Sequence, residues 1–66
     1  MAEYHIKLDS EEERRLQQLG DNEDFQDYFF DRHDSLRIHR NIGISSYKIL
    51  TYSNGKHACC YTVGQN

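Results

Sequence analysis

The sequence predicts a single α+β domain over residues 1–66, in which two helices pack on one face of a small antiparallel sheet of about four strands. Three observations predict this fold class. Short segments alternate between apolar and polar residues, two other segments carry apolar residues at helical spacing, and Asn54-Gly55 joins two runs rich in β-formers. The predicted order along the chain is β-α-α-β-β-β.

The first strand and the first helix are predicted from residues 2–20. Apolar and polar residues alternate over residues 2–8, which is typical of a half-buried strand. Ser10, with Glu13 three residues later, matches a capping box and predicts a helix over residues 11–19. Gly20 is suited to end that helix because glycine readily adopts positive φ.

A second helix is predicted immediately after this glycine. Either Asp21 or Asn22 can cap its N-terminus. Phe25, Tyr28 and Phe29 follow the i, i+3, i+4 spacing of one buried helical stripe. The sequence therefore predicts an amphipathic helix with an aromatic buried face.

The three remaining strands are predicted in the C-terminal half. Residues 36–40 alternate once more, and Asn41-Ile42-Gly43 indicates a turn or bulge before the next strand. Asn54-Gly55 is the preferred pair for a two-residue type I′ hairpin loop. With that loop Ser53 faces Lys56, and the pairing continues back through the two strands.

This register pairs Tyr52 with His57 and Lys48 with Tyr61, and it sorts the hairpin side chains into two faces. The face that we expect in the core contains small residues suited to close approach by a helix; it consists of Tyr47, Ile49, Thr51, Ala58, Cys60 and Thr62. The other face, expected to be open, consists of Lys48, Leu50, Tyr52, His57, Cys59, Tyr61 and Val63. A slip of one residue would exchange these faces.

Charge is distributed unevenly along the chain. All 11 acidic side chains lie within residues 1–34, whereas residues 35–66 carry four basic side chains and no acidic one. No segment has the apolar length of a membrane span, and no signal peptide is recognisable, so we expect a cytoplasmic protein without a membrane partner. Cys59 and Cys60 are adjacent and point to opposite strand faces, which disfavours a disulfide between them.

Catalytic and metal-binding patterns are weak in this sequence. His57 and Cys59 share a predicted strand face, but the paired close ligands typical of structural zinc do not occur. Phosphate-binding glycine loops are absent, and the carboxylates are predicted on helix surfaces. We therefore expect a protein that is not an enzyme and has no cofactor or metal.

Binding to a larger protein with a basic surface is the leading hypothesis, with the chain as an inhibitor or adaptor. An acidic helical surface can be steered onto such a partner and can imitate the phosphates of a nucleic acid. Phe30 lies off the buried stripe, so it is either part of a wider core or an exposed contact. The candidate partner-binding residues are Glu12, Glu23, Asp24, Asp27, Asp31, Phe30, Lys48, Tyr52 and Tyr61. In size, acidity and layout the chain is similar to small phage-encoded inhibitors, including anti-CRISPR proteins.

The alternative hypothesis is a single-stranded nucleic-acid-binding domain. Tyr52, Tyr61 and Lys48 would lie together on the open sheet face, where aromatic rings stack on bases and cations contact phosphates. No RNP-like motif occurs, and the net charge of −3 opposes binding to polyanions. The oligomeric state is not determined by these patterns.

Overall fold

The computed structural model describes residues 2–64; Met1, Gln65 and Asn66, which belong to the predicted domain 1–66, lie outside the described residues. The elements in chain order are β1 Ala2–Lys7, α1 Ser10–Leu19, α2 Glu23–Arg32, α3 Asp34–Ile42, β2 Ile44–Thr51 and β3 His57–Val63. The strands form one antiparallel sheet in the order β1-β3-β2. The predicted α+β class with a small antiparallel sheet is confirmed.

The predicted fourth strand is wrong, because residues 36–40 belong to helix α3. Leu36 is fully buried, whereas Ile38 is 59% exposed, so the two do not share a buried face as alternate strand residues would. Asp34 lies in the first turn and Arg40 in the last, which complements the helix dipole at both ends. Gly43, with φ of +124°, follows the last turn and ends α3.

Helix α1 begins one residue earlier than the capping pattern predicted. Asp9, rather than Ser10, is the N-cap, and its Oδ1 accepts a hydrogen bond of 2.8 Å from the Glu12 N–H. Glu12 Oε1 in turn accepts from the Asp9 N–H at 2.9 Å, which completes the capping box. Gly20 ends α1 with φ of +82°, and Asn22 caps α2, both as predicted.

The hairpin has a three-residue loop in place of the predicted two-residue type I′ turn. The Tyr52 N–H donates to the Lys56 carbonyl at 2.8 Å, and the Gly55 N–H donates to the Tyr52 carbonyl at 2.9 Å. A type I′ turn needs positive φ at both central residues, but among residues 2–64 only glycines have it, and Gly55 is at +84°. The pairing is therefore displaced by one residue.

This displacement corrects the predicted faces of β3. Thr51 pairs with His57 and Tyr47 with Tyr61, in place of the predicted Tyr52–His57 and Lys48–Tyr61 pairs. Paired residues lie on the same face of an antiparallel sheet, so Tyr61 lies on the Tyr47 face. The face expected in the core was correct for β2 and wrong for β3: Cys59, Tyr61 and Val63 belong to the core, whereas Ala58, Cys60 and Thr62 lie on the opposite face.

The hydrophobic core joins this sheet face to all three helices. Its buried members are Leu8, Leu16, Phe25, Phe29, Phe30, Leu36, Cys59, Tyr61 and Val63. Side-chain contacts across the core include Phe30 edge-on to Tyr47 and His39 beside Tyr61. Within residues 2–64, none of the helices combines the length and apolar composition needed to cross a bilayer.

Candidate functional site

Four of the predicted partner-binding residues form an exposed acidic face on α2, which we call the α2 acidic face: Glu23, Asp24, Asp27 and Asp31. Glu23, Asp27 and Asp31 follow one another at four-residue spacing and Asp24 is three residues before Asp27, so the four lie within about 100° of the helix surface. The opposite side of α2 carries Phe25 and Phe29 into the core, and Phe30, on the flank next to Glu23, is buried as well. Burial of the aromatic stripe therefore turns the carboxylates toward solvent.

Few cations neutralise the α2 acidic face. Arg40 of α3 reaches Asp27, with 3.6 Å between Nη1 and Oδ1 in a pair that is largely exposed. Among residues 2–64, Glu23, Asp24 and Asp31 have no basic group within ion-pair distance. Three of the four carboxylates are therefore exposed without an ion-pair partner among the described residues.

Glu12, Phe30 and Tyr61, also predicted as partner contacts, are buried within the fold. Phe30 packs in the core and lies under the Arg40 guanidinium, 5.3 Å from the ring centroid, so the interpretation of Phe30 as a core residue is confirmed. Tyr61 is 1% exposed, and its hydroxyl lies 3.0 Å from Nδ1 of His39. The structure therefore removes all three from the accessible surface.

Lys48 and Tyr52 are exposed but do not form the predicted aromatic and cationic face. Lys48 lies on the open sheet face opposite Cys60, whereas Tyr52 lies at the end of the hairpin and is 39% exposed. Tyr61, which was expected to stack on bases, belongs to the core side of the sheet, as does Tyr47. Within residues 2–64, Tyr52, Tyr61 and Lys48 therefore do not lie together on one open sheet face.

A polar cluster around Glu12 was not predicted. The Glu12 carboxylate is 1% exposed and accepts hydrogen bonds from Asp9 N–H and from Arg32 Nε, the latter at 3.0 Å. Nε2 of His33 lies 2.7 Å from the same Oε2 oxygen. The only sequence signal for this cluster is the second capping-box pattern, Asp9 with Glu12, which competes with Ser10 and Glu13.

A groove of about 700 Å³ separates the β1–α1 junction from the hairpin loop. Its walls consist of Lys7, Leu8, Asp9, Ser10 and Glu13 on one side and Tyr52, Ser53, Asn54, Lys56 and His57 on the other. At the groove, Glu13 Oε1 lies 2.7 Å from His57 Nδ1, and Oε2 accepts a hydrogen bond of 2.6 Å from the His57 main-chain N–H. Glu13 thereby ties α1 to the start of β3.

The two cysteines are free thiols with poor nucleophilic character. Burial raises the pKa of Cys59 to about 12, and burial also raises the pKa of Cys60. Both thiols are therefore protonated at neutral pH, which opposes thiolate chemistry. Within residues 2–64, no cluster of three or more His, Cys, Asp or Glu side chains is arranged to hold a metal ion.

No protein-family model matches the chain, and neither a curated protein nor a solved structure matches it.

Proposed function

We propose that this chain is a small, non-catalytic protein-binding module that docks the α2 acidic face onto the basic surface of a larger protein. The observation that carries this proposal is the group of exposed carboxylates on one side of α2, of which Asp27 alone contacts a cation among residues 2–64. Uncompensated charge of one sign attracts a partner of opposite sign over several ångströms and accelerates its association.

The spacing of these charges suits a surface that normally binds nucleic acid. Glu23 and Asp31 are eight residues apart, which is about 12 Å along a helix at 1.5 Å per residue. Four carboxylates over this length give an average of roughly 4 Å per charge along the helix axis. This average is close to the roughly 3.4 Å per charge of one DNA strand. Occupying a phosphate-binding surface in this way would make the protein a competitive inhibitor; docking without displacement would make it an adaptor.

Rigid presentation of the carboxylates supports the same proposal. Asn22 Oδ1 caps α2 by accepting from the N–H groups of Asp24 and Phe25, at 3.0 and 3.3 Å. Phe25 and Phe29 are fully buried beneath the helix. A preformed charged face loses little conformational entropy on binding, which favours affinity.

Affinity capture from a lysate of the native host, followed by mass spectrometry, tests the proposal. A triple variant with Glu23→Gln, Asp24→Asn and Asp31→Asn should lose the captured protein, because it removes the charges that have no internal partner. The captured protein should bind nucleic acid and, if the chain is an inhibitor, release it when the chain is added. Raising the salt concentration should weaken capture because the attraction is electrostatic.

A matched variant controls for net charge. Glu3→Gln, Glu11→Gln and Asp34→Asn together remove the same charge from exposed positions outside α2. This control should retain capture, and circular dichroism should show that both triple variants are folded. Retained capture by the folded α2 variant would locate binding elsewhere and refute the proposal.

A further inference from the structure

The outer edge of β1 is a regular strand edge that has no strand beside it within residues 2–64. In the order β1-β3-β2, both β1 and β2 are edge strands. The β2 edge is interrupted by a register shift between Ile44 and Ser46, whereas β1 pairs with β3 without interruption from Ala2 to Lys7. Bulges protect edge strands from pairing with other chains, and β1 lacks this protection.

The backbone groups available on that edge can be assigned from the pairing with β3. The Leu8 N–H donates to the His57 carbonyl at 3.1 Å, so Leu8 directs its backbone groups toward β3. Successive residues of an antiparallel strand direct these groups to alternate sides. The N–H and C=O groups of Glu3, His5 and Lys7 therefore point outward.

The side chains of the same three residues are self-complementary. Glu3 and Lys7 lie two residues on either side of His5, on the same sheet face, and both are exposed. An antiparallel second copy centred on His5 would place each Glu3 opposite a Lys7, and every such pair would exchange backbone hydrogen bonds. Opposite charges in directly facing positions stabilise a sheet.

Neighbouring registers lack this complementarity. Centring the pair on Ile6 would place His5 opposite Lys7 and Glu3 opposite Asp9. Centring it on Tyr4 would place Glu3 opposite His5 and leave Lys7 without a facing residue of β1, which spans Ala2–Lys7, so both Glu3–Lys7 pairs would be lost. The charges therefore select the register at His5.

Exposed apolar side chains also lie on α3, the helix whose His39 contacts β1. Ile38 and Ile42 of α3 are 59% and 61% exposed. Both are two residues from Arg40, which packs against α2, and residues two apart lie roughly 200° apart around a helix. They therefore lie on the flank of α3 that faces away from α2. His39, on the same helix, has its ring 4.6 Å from Tyr4 of β1, so α3 lies near the edge strand β1.

We propose that two copies of this chain associate through the outer edges of β1, antiparallel and in register at His5, to form one continuous sheet. On one face the contact pairs Glu3 with Lys7 of the second copy. On the other it places Tyr4 opposite Ile6 of the second copy and brings the Ile38–Ile42 flanks of the two α3 helices toward each other. This surface is separate from the α2 acidic face.

Analytical ultracentrifugation from about 1 µM to about 1 mM chain tests self-association, since this range covers dissociation constants in the micromolar range. The wild-type protein should reach the mass of two chains. His5→Pro should remain monomeric, because proline removes an outward N–H without disturbing the bonds to β3. Thr51→Pro is the matched control: its N–H also points outward, on the β2 edge, and this variant should still dimerise. A wild-type monomer throughout, or a folded His5→Pro variant that dimerises, would overturn the proposal.

Charge exchange tests the register even if the proline variant fails to fold. Glu3→Lys and Lys7→Glu should each weaken the homodimer by about tenfold or more, because facing charges become alike. Mixing these two variants should give a heterodimer, since the acidic strand of one then faces the basic strand of the other. The double variant with Glu3→Lys and Lys7→Glu should dimerise as the wild type does. Absence of preferential heterodimer formation would overturn the register.

Discussion

The Oε2 oxygen of Glu12 lies 3.0 Å from Nε of Arg32, so a buried carboxylate of α1 joins the C-terminal turn of α2. Arg32 also reaches Asp9, the N-cap of α1, with 3.0 Å between Nη2 and Oδ2. The hydrogen bond that Arg32 donates to Glu12 raises the pKa of the Arg32 guanidinium. One arginine therefore links the start of α1 to the end of α2, and this linkage has consequences for stability.

Replacing Glu12 should destabilise the fold strongly. Glu12→Ala removes the acceptor for Arg32 and for the Asp9 N–H, and we expect the free energy of unfolding to fall by about 2–4 kcal/mol. Glu12→Gln, which keeps an acceptor but loses the charge, should cost less. Urea denaturation followed by circular dichroism measures both changes.

Glu11 provides the control for this experiment, because it is adjacent and its ion pairs with Arg14 and Arg15 are partly exposed. Glu11→Ala should change the free energy of unfolding by no more than about 0.5–1 kcal/mol. A Glu12→Ala variant as stable as Glu11→Ala would show that the buried cluster contributes little.

Glu13 should make stability depend on pH in the acid range. Burial acts to raise the pKa of Glu13, but hydrogen bonds from the ring and main-chain N–H groups of His57 outweigh it, so the folded pKa lies below its ordinary value. The stabilisation is therefore present above the unfolded pKa and is lost as the pH falls through the folded pKa. Thermal melts between pH 7 and acid should show this loss.

The Glu13→Gln variant should flatten that part of the pH profile, because the amide no longer titrates. Glu23→Gln removes an exposed carboxylate of the α2 acidic face that has no ion pair among residues 2–64, and it should leave the profile close to that of the wild type. Equal profiles for Glu13→Gln and the wild type would exclude Glu13 as the source of the pH dependence.

Replacing Gly55 in the hairpin loop by a residue with a side chain should destabilise the fold. Its φ of +84° is disfavoured for other residues, although a Cβ at this position would meet no atom within 4 Å. Gly55→Ala should therefore cost about 1–2 kcal/mol of unfolding free energy, all from backbone conformation. Ser53→Ala, at an exposed position of the same loop, should be close to neutral in the same urea titration.

The hairpin shows what could and could not be predicted from the sequence. Asn54-Gly55 located the loop correctly, but glycine at positive φ fits both a two-residue type I′ turn and a three-residue loop. The choice between them depends on which strand faces meet the helices, and that is a tertiary contact. The helix over Asp34–Ile42 was missed for a related reason: five alternating residues are too few to separate a period of two from one of 3.6.

The residues of the candidate site also differ in whether the sequence could predict their position. The exposed carboxylates of α2 followed from the helical spacing of Phe25 and Phe29, since fixing the buried stripe fixes the opposite side. Burial of Glu12 did not follow, because its partners Arg32 and His33 lie 20 and 21 residues away in the sequence. Tyr61 moved from the surface to the core through the one-residue change of register.

Substitution of Cys59 and Cys60 provides an experimental test of the observed pairing between β2 and β3. Cys59 faces the core and is fully buried, whereas Cys60 lies on the open sheet face, where the side chains of the edge strands cover it. Burying a hydroxyl in place of a thiol is unfavourable even with the Tyr47 hydroxyl beside it, so Cys59→Ser should lower the free energy of unfolding by about 0.5–2 kcal/mol. Cys60→Ser should cost less, because His5 and Lys48, its neighbours across the strands, are exposed to water.

Alkylation of the native protein gives an independent measure of the same difference. Burial raises the pKa of Cys59 to about 12, so its thiolate is scarce at pH 8 and iodoacetamide should react with it only through unfolding. Cys60 should be modified first, because motion of the Lys48 side chain exposes it without opening the core. Peptide mass spectrometry over time separates the two sites. Faster modification of Cys59, or a larger stability loss for Cys60→Ser, would favour the two-residue loop and the exchanged faces of β3.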